Sequence, residues 1–263
     1  MATTGVDAPG RAQVGVRTLR KDRYWVQPAI TAAVLIFFVL YSAWRVFSGV
    51  SYYAAPYLSV YYSPCIASSC VPGSETKQLI GSWWALSPAL LTAWVPLGYR
   101  MTCYYYRKAY YRSFWFSPPA CAVAEPHSKY SGERRFPLIF SNSHRYFLYL
   151  AVVFNLVLTY DALLAFRNPQ GQWGHMGLGT VLLVVNAVAL WIYTLSCHSC
   201  RSAVGGRLNH FSKHPIRYKL WTWVSKMNGH HPQWAWISLF TVMLADFYVY
   251  LLASGHLTDW RFF

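Results

Sequence analysis

The chain has 263 residues, 55% of them apolar or aromatic and only 12% charged, with a formal net charge of +15. Soluble domains carry about 25% charged residues and disordered chains are poor in apolar ones, so both classes are excluded. So is a disulfide-dense mini-domain, because six cysteines are spread over this whole length. What remains is an integral membrane protein, provided the apolar residues come in runs long enough to cross a bilayer.

Residues 1–28 predict an arm without the hydrophobic region and cleavage site of a secretory signal, so no signal is expected to be removed. Five apolar runs follow, at 29–50, 79–99, 146–166, 176–196 and 234–255, and residues 256–263 form a short tail. Each run is about 20 residues, which at ~1.5 Å per residue covers the ~30 Å hydrocarbon core. None alternates with the period of two that a barrel strand needs, and no internal repeat is evident. The predicted fold is an all-α integral membrane protein with a five-helix transmembrane bundle. Pro88 and Pro96 fall inside the second run and predict a kink there.

The basic residues predict the orientation. All but four of the 23 lysines and arginines lie in the N-terminal arm or in the connections 100–145 and 201–232; the four are Arg45, Lys77, Arg167 and Arg261. By the positive-inside rule the N-terminus and both long connections are cytoplasmic and the C-terminus is outside. The net charge therefore reads as topology, with some attraction to anionic lipid headgroups and no nucleic-acid partner. The long inner connections are rich in aromatic and basic residues, as a protein docking surface is.

This topology sorts the cysteines. Cys65 and Cys70 fall in the first outer loop, where an oxidising compartment favours a disulfide between them. Cys103, Cys121, Cys197 and Cys200 fall on the inner side with most of the histidines, where thiols stay reduced. If the fourth helix continues through 197–200, Cys197 and Cys200 share nearly one face, with His198 about 100° away. Mixed thiolate and imidazole suits zinc or an iron–sulfur centre. A haem b is the weaker alternative, because no histidine lies within a predicted span.

Several long stretches carry a family resemblance. Tyr99-Arg-Met-Thr-Cys-Tyr-Tyr-Tyr-Arg-Lys-Ala-Tyr-Tyr-Arg112, Ser117-Pro-Pro-Ala-Cys-Ala-Val-Ala-Glu-Pro126 and Leu195-Ser-Cys-His-Ser-Cys-Arg201 are three of them. With Gly206-Arg-Leu-Asn-His-Phe-Ser-Lys-His-Pro-Ile-Arg217 and Asp246-Phe-Tyr-Val-Tyr250, they resemble the membrane-anchor subunit of actinobacterial, mycobacterial-type succinate dehydrogenase. The resemblance implies a complex II in the plasma membrane, part of the respiratory chain and the tricarboxylic acid cycle. It implies a membrane-embedded Rieske-type [2Fe–2S] cluster, flavoprotein and iron–sulfur partner subunits, a menaquinone or ubiquinone substrate, and a higher oligomer of the whole complex.

The resemblance supplies the cluster but not its ligand list. On residue chemistry the expected pool is Cys103, Cys121, Cys197 and Cys200 with His198 and His210, and His144, His214 and His230 stand in reserve. Tyr24, Trp25, Arg100 and Tyr106 are the expected inner quinone residues, pairing aromatic walls with hydrogen-bond donors. Arg45, Asp161 and Asp246 lie in the outer halves of three spans, and Trp83 and Trp84 start the second. Ionisable groups inside spans are functional suspects. These five form either an outer polar site or a structural ion pair with aromatic neighbours, and a small transporter with an Arg45/Asp161/Asp246 path is the competing function.

Overall fold

The computed structural model describes residues 20–65, 87–123, 134–136 and 138–263. Eight α-helices lie among them: α1 Val26–Ser48, α2 Trp94–Thr102, α3 Tyr104–Phe114, α4 His144–Leu164, α5 Leu178–Leu195, α6 His198–Gly205, α7 Pro215–Asn228 and α8 His231–Ala253. Four described helical segments are long and apolar enough to cross a membrane: Val26–Ser48, Leu138–Leu164, Leu178–Leu195 and His231–Ala253. The third, fourth and fifth predicted runs map onto the last three of these, with a consequential shift of their starts. Residues His144 and His231 are the first residues of α4 and α8 rather than loop residues.

The predicted second span differs most. It is not one continuous helix, because Ser87 is extended and Pro88–Leu91 form a single 3-10 turn before α2 begins. Proline at the start of that turn, and Pro96 in the first turn of α2, sit where the missing N–H breaks no helical bond. At ~1.5 Å per residue the nine residues of α2 rise about 14 Å, roughly half the hydrocarbon core. The part of the run before residue 87, with Trp83 and Trp84, lies outside the described residues.

Helix α2 packs on α4, α5 on α8, and α4 on α5. The α2–α4 approach is close because Gly98 has no side chain: a Cβ there would meet the Phe147 ring at 2.2 Å. Helices α3, α6 and α7 gather at the end of the bundle where α2 and α5 stop and α4 and α8 start. The opposite end is closed by a hairpin, β1 Tyr53–Ala54 against β2 Tyr57–Leu58, in the register Tyr53↔Leu58. The Tyr57 hydroxyl donates to Asp259 at 2.6 Å, and residues 176–178 pair with the C-terminal segment 260–263.

Cys65 is disulfide-bonded, and the other four described cysteines are free thiols. Cys70 lies outside the described residues. Peptide mass spectrometry without reduction should give Cys65 and Cys70 in one linked species, two hydrogens lighter than the reduced peptides. Alkylation of both in the untreated protein would reject the link.

Candidate metal centre

Where α2 and α5 end, the chain repeats a short pattern: Tyr99-Arg-Met-Thr-Cys103 and Tyr193-Thr-Leu-Ser-Cys197. In each copy the cysteine leaves the helix in extended conformation, at φ −61°, ψ 128° for Cys103 and φ −64°, ψ 144° for Cys197. Each then caps a new surface helix, α3 or α6. The repeat extends to the partner helices, because α4 and α8 each begin with a histidine that turns inward. Thus Cys103, Cys197, His144 and His231 meet in the core, with exposures of 2%, 1%, 7% and 6%.

The contacts cross between the two copies. His144 receives its support from the first copy and touches the cysteine of the second. Its Nδ1 lies 2.9 Å from Thr102 Oγ1, its ring stacks on Tyr99 at 4.8 Å and 7°, and its Nε2 lies 3.0 Å from Cys197 Sγ. His231 mirrors it: Nδ1 is 2.8 Å from Ser196 Oγ, the ring stacks on Tyr193 at 5.0 Å and 10°, and Nε2 is 3.5 Å from Cys103 Sγ.

Both tautomers follow from the hydroxyls. Thr102 Oγ1 donates its proton to the Gly98 carbonyl at 2.7 Å, and Ser196 Oγ donates to the Tyr193 carbonyl at 3.0 Å. With its proton given to that carbonyl, each hydroxyl accepts from the imidazole, a pairing that puts the ring proton on Nδ1. The Nε2 lone pairs of both rings are left facing the two sulfurs, the arrangement a metal-ligating histidine needs. Burial pushes both thiols up, while backbone N–H groups at the starts of α3 and α6 oppose it. Ser199 N–H, 3.4 Å from Cys197 Sγ, is one such group, and N–H donors at a helix start favour a thiolate.

Among the described residues no three histidine, cysteine or carboxylate side chains converge as a single-ion site requires. The four side chains meet instead as two cysteine–histidine pairs.

The sequence model for the family described as "Actinobacterial succinate dehydrogenase subunit SdhC" matches residues 26–255. The chain belongs to that family. It is also similar to a chain of the "Mycobacterium smegmatis Sdh1 complex in the apo form", with 54% identity over 99% of each chain and a TM-score of 0.87. No curated protein in the comparison matches it. The protein is thus a membrane subunit of an actinobacterial succinate dehydrogenase complex, itself non-catalytic for succinate and assembled with other subunits.

Within this succinate dehydrogenase subunit the expected ligand pool separates. Cys103 and Cys197 come together and Cys200 packs at the edge of their cluster, whereas Cys121, His198 and His210 lie exposed. The expectation for Cys200 assumed a helix running through 197–200, but the helix breaks at Cys197, and Cys200 sits in the first turn of α6, half-buried. His198 is exposed beside Arg201 and Trp221, His210 is exposed before the turn Phe211–Lys213, and Cys121 is exposed with its carbonyl bound by Arg20. His144, held in reserve, and His231, not singled out, take the buried places. Two repeated features could have found them: Tyr-x-x-(Thr/Ser)-Cys at the end of one apolar run, and histidine two or three residues ahead of the next.

Of the expected quinone residues, Arg100 and Tyr106 are joined at 2.6 Å, and both reach the start of α8 through the Ala235 carbonyl. The Arg100 guanidinium lies 5.0 Å from the Tyr193 ring centre, beside the candidate centre. Tyr24 lies under Arg20 and Trp25 is exposed, so neither enters this network. A cavity of about 430 Å³ extends from Tyr99, Arg100 and Tyr193 toward Tyr61 and Ser63 between α1, α2, α4 and α5. Val39, Phe47, Trp94 and Leu97 line it and are also exposed, so it communicates with the outer surface of the bundle.

The outer charges resolve into two places. Arg45 and Asp246, both fully buried, pair at 2.8 Å, and Asp246 also accepts from Tyr41 at 2.5 Å and from Ser59. Asp161 stands apart and accepts from Ser63, which lines the cavity. Arg45 and Asp246 are fully buried and paired with each other, and among the described residues Asp161 has a separate partner in Ser63.

Proposed function

We propose that this subunit holds a Rieske-type [2Fe–2S] centre through Cys103, Cys197, His144 and His231, and delivers electrons from a docked iron–sulfur subunit to a quinone. The observation that carries the reading is the convergence of two buried thiols with two imidazole Nε2 atoms, each imidazole held at Nδ1 by its own hydroxyl. A haem fits these residues poorly, because both Nε2 atoms abut sulfur and a tyrosine covers a face of each ring. When bound, a [2Fe–2S] centre supplies one-electron transfer. The chain's own residues bind it, bury it and set its surroundings.

The quinone, menaquinone or ubiquinone, takes the adjoining cavity. Such a ligand needs an apolar slot for ring and tail with a few donors for its oxygens. Phe38, Leu90 and Phe154 supply the slot, and Arg100, Tyr61 and Ser42 supply donors. The basic end, with α3, α6 and α7, faces the cytoplasm and docks the partner subunits, as the positive-inside rule requires in the plasma membrane.

The test is pulsed electron paramagnetic resonance of the purified, reduced complex. A signal of low average g coupled to two imidazole nitrogens is expected, besides any signals of the partner subunits. Spectra explained by all-thiolate centres alone, or zinc at this position, would overturn the reading.

A further inference from the structure

Among the described residues three buried side-chain polar atoms lack a hydrogen-bond partner: the hydroxyls of Tyr99 and Tyr193 and Nε of Arg167. Buried hydroxyls are nearly always paired, so two orphans symmetrically placed at one site call for an acceptor within reach of each. The Tyr99 hydroxyl closes no hydrogen bond, its polar neighbours being the Cys197 sulfur and the Thr194 hydroxyl, and Thr194 already accepts from Asn155 at 2.9 Å. The Tyr193 hydroxyl lies beside the Cys103 sulfur. Stacking on His144 and His231 fixes both rings, so neither hydroxyl can swing away to find water.

We propose that Tyr99 and Tyr193 are positioning residues whose hydroxyls donate to the ligating thiolates, Tyr99 to Cys197 and Tyr193 to Cys103, and so raise the reduction potential of the centre. A neutral thiol is a weak acceptor, which accounts for the idle hydroxyls; a thiolate bound to metal is a much better one. Reduction adds negative charge that spreads onto the sulfurs, so a donor aimed at sulfur stabilises the reduced form more than the oxidised form. The inference rests on the ligand set proposed above.

Redox titration of the complex followed by electron paramagnetic resonance reads the effect directly. Tyr99→Phe and Tyr193→Phe keep the stacked rings and remove one oxygen each. Each should leave the signal intact and lower the electron affinity of the centre about tenfold, ~59 mV for a one-electron couple. A fluorinated, more acidic tyrosine placed at either position should shift the midpoint upward, and this arm holds even where a phenylalanine variant assembles poorly. An unmoved midpoint with the centre present overturns the inference alone. Absence of the histidine-coupled centre from the unmodified complex overturns the ligand set, and the inference with it.

Discussion

Replacing Cys103 or Cys197 with serine is expected to abolish the histidine-coupled signal of the reduced complex, whereas Cys200→Ser and Cys121→Ser leave it in place. Serine is nearly the size of cysteine, so packing changes little, but its alkoxide is unavailable near neutral pH where a buried thiolate can bind metal. Loss of a ligand should therefore remove the centre and with it quinone reduction, while succinate oxidation by an artificial acceptor persists in the partner subunits. Cys121 is exposed, and Cys200 is half-buried one turn beyond the helix break. At those positions serine costs at most the ~1–3 kcal/mol of an unpaired hydroxyl. His144→Ala and His231→Ala should match the ligand cysteines, and Thr102→Val and Ser196→Ala should weaken the centre without deleting it. Retention of the signal in both Cys103→Ser and Cys197→Ser would remove the two helix ends from the site.

The membrane class and most of the spans were legible in the sequence because bilayer thickness imposes a length on each apolar run. Residues 146–166 and 176–196 land within two residues of the ends of α4 and α5. The second run misled because hydropathy does not register an extended Ser87 or a proline-led 3-10 turn. The site was half legible. Cys103 and Cys197 were in the expected pool, but spans cut at 146 and 234 left His144 and His231 just outside, since histidine lowers the hydropathy of the ends it begins. Periodic reasoning also put Cys200 on one face with Cys197, because nothing local in Ser196-Cys-His-Ser-Cys200 announces that the helix breaks there. The break is set by tertiary demand: Ser196 is committed to His231, and Asn228 binds the Ser196 carbonyl at 2.7 Å.

The other large effect is expected at the opposite end, where Asp246→Asn should cost the complex about 3–5 kcal/mol of stability, the usual consequence of removing one member of a buried ion pair. Arg45 ties the last turn of α1 to α8 through Asp246 and donates further to Ser48, Val50 and Ser51, so its charge serves as a hub for the chain leaving α1. Without the carboxylate that charge stays buried with only neutral acceptors, and a guanidinium cannot shed its proton to escape. Arg45→Met should be milder, because a lone carboxyl can be held neutral by protonation with Tyr41 and Ser59 still as neighbours. The double variant Arg45→Met with Asp246→Leu should recover much of the loss, since a buried pair can often be exchanged for apolar residues of similar volume. Thermal unfolding of the purified complex, with the histidine-coupled signal as a check on the distant centre, separates this from a functional path. A structural pair predicts lower thermal stability with the signal and quinone reductase activity intact at permissive temperature. Normal stability with lost activity in Asp246→Asn would instead make the pair part of a charge-transfer route, and the structural assignment would fall.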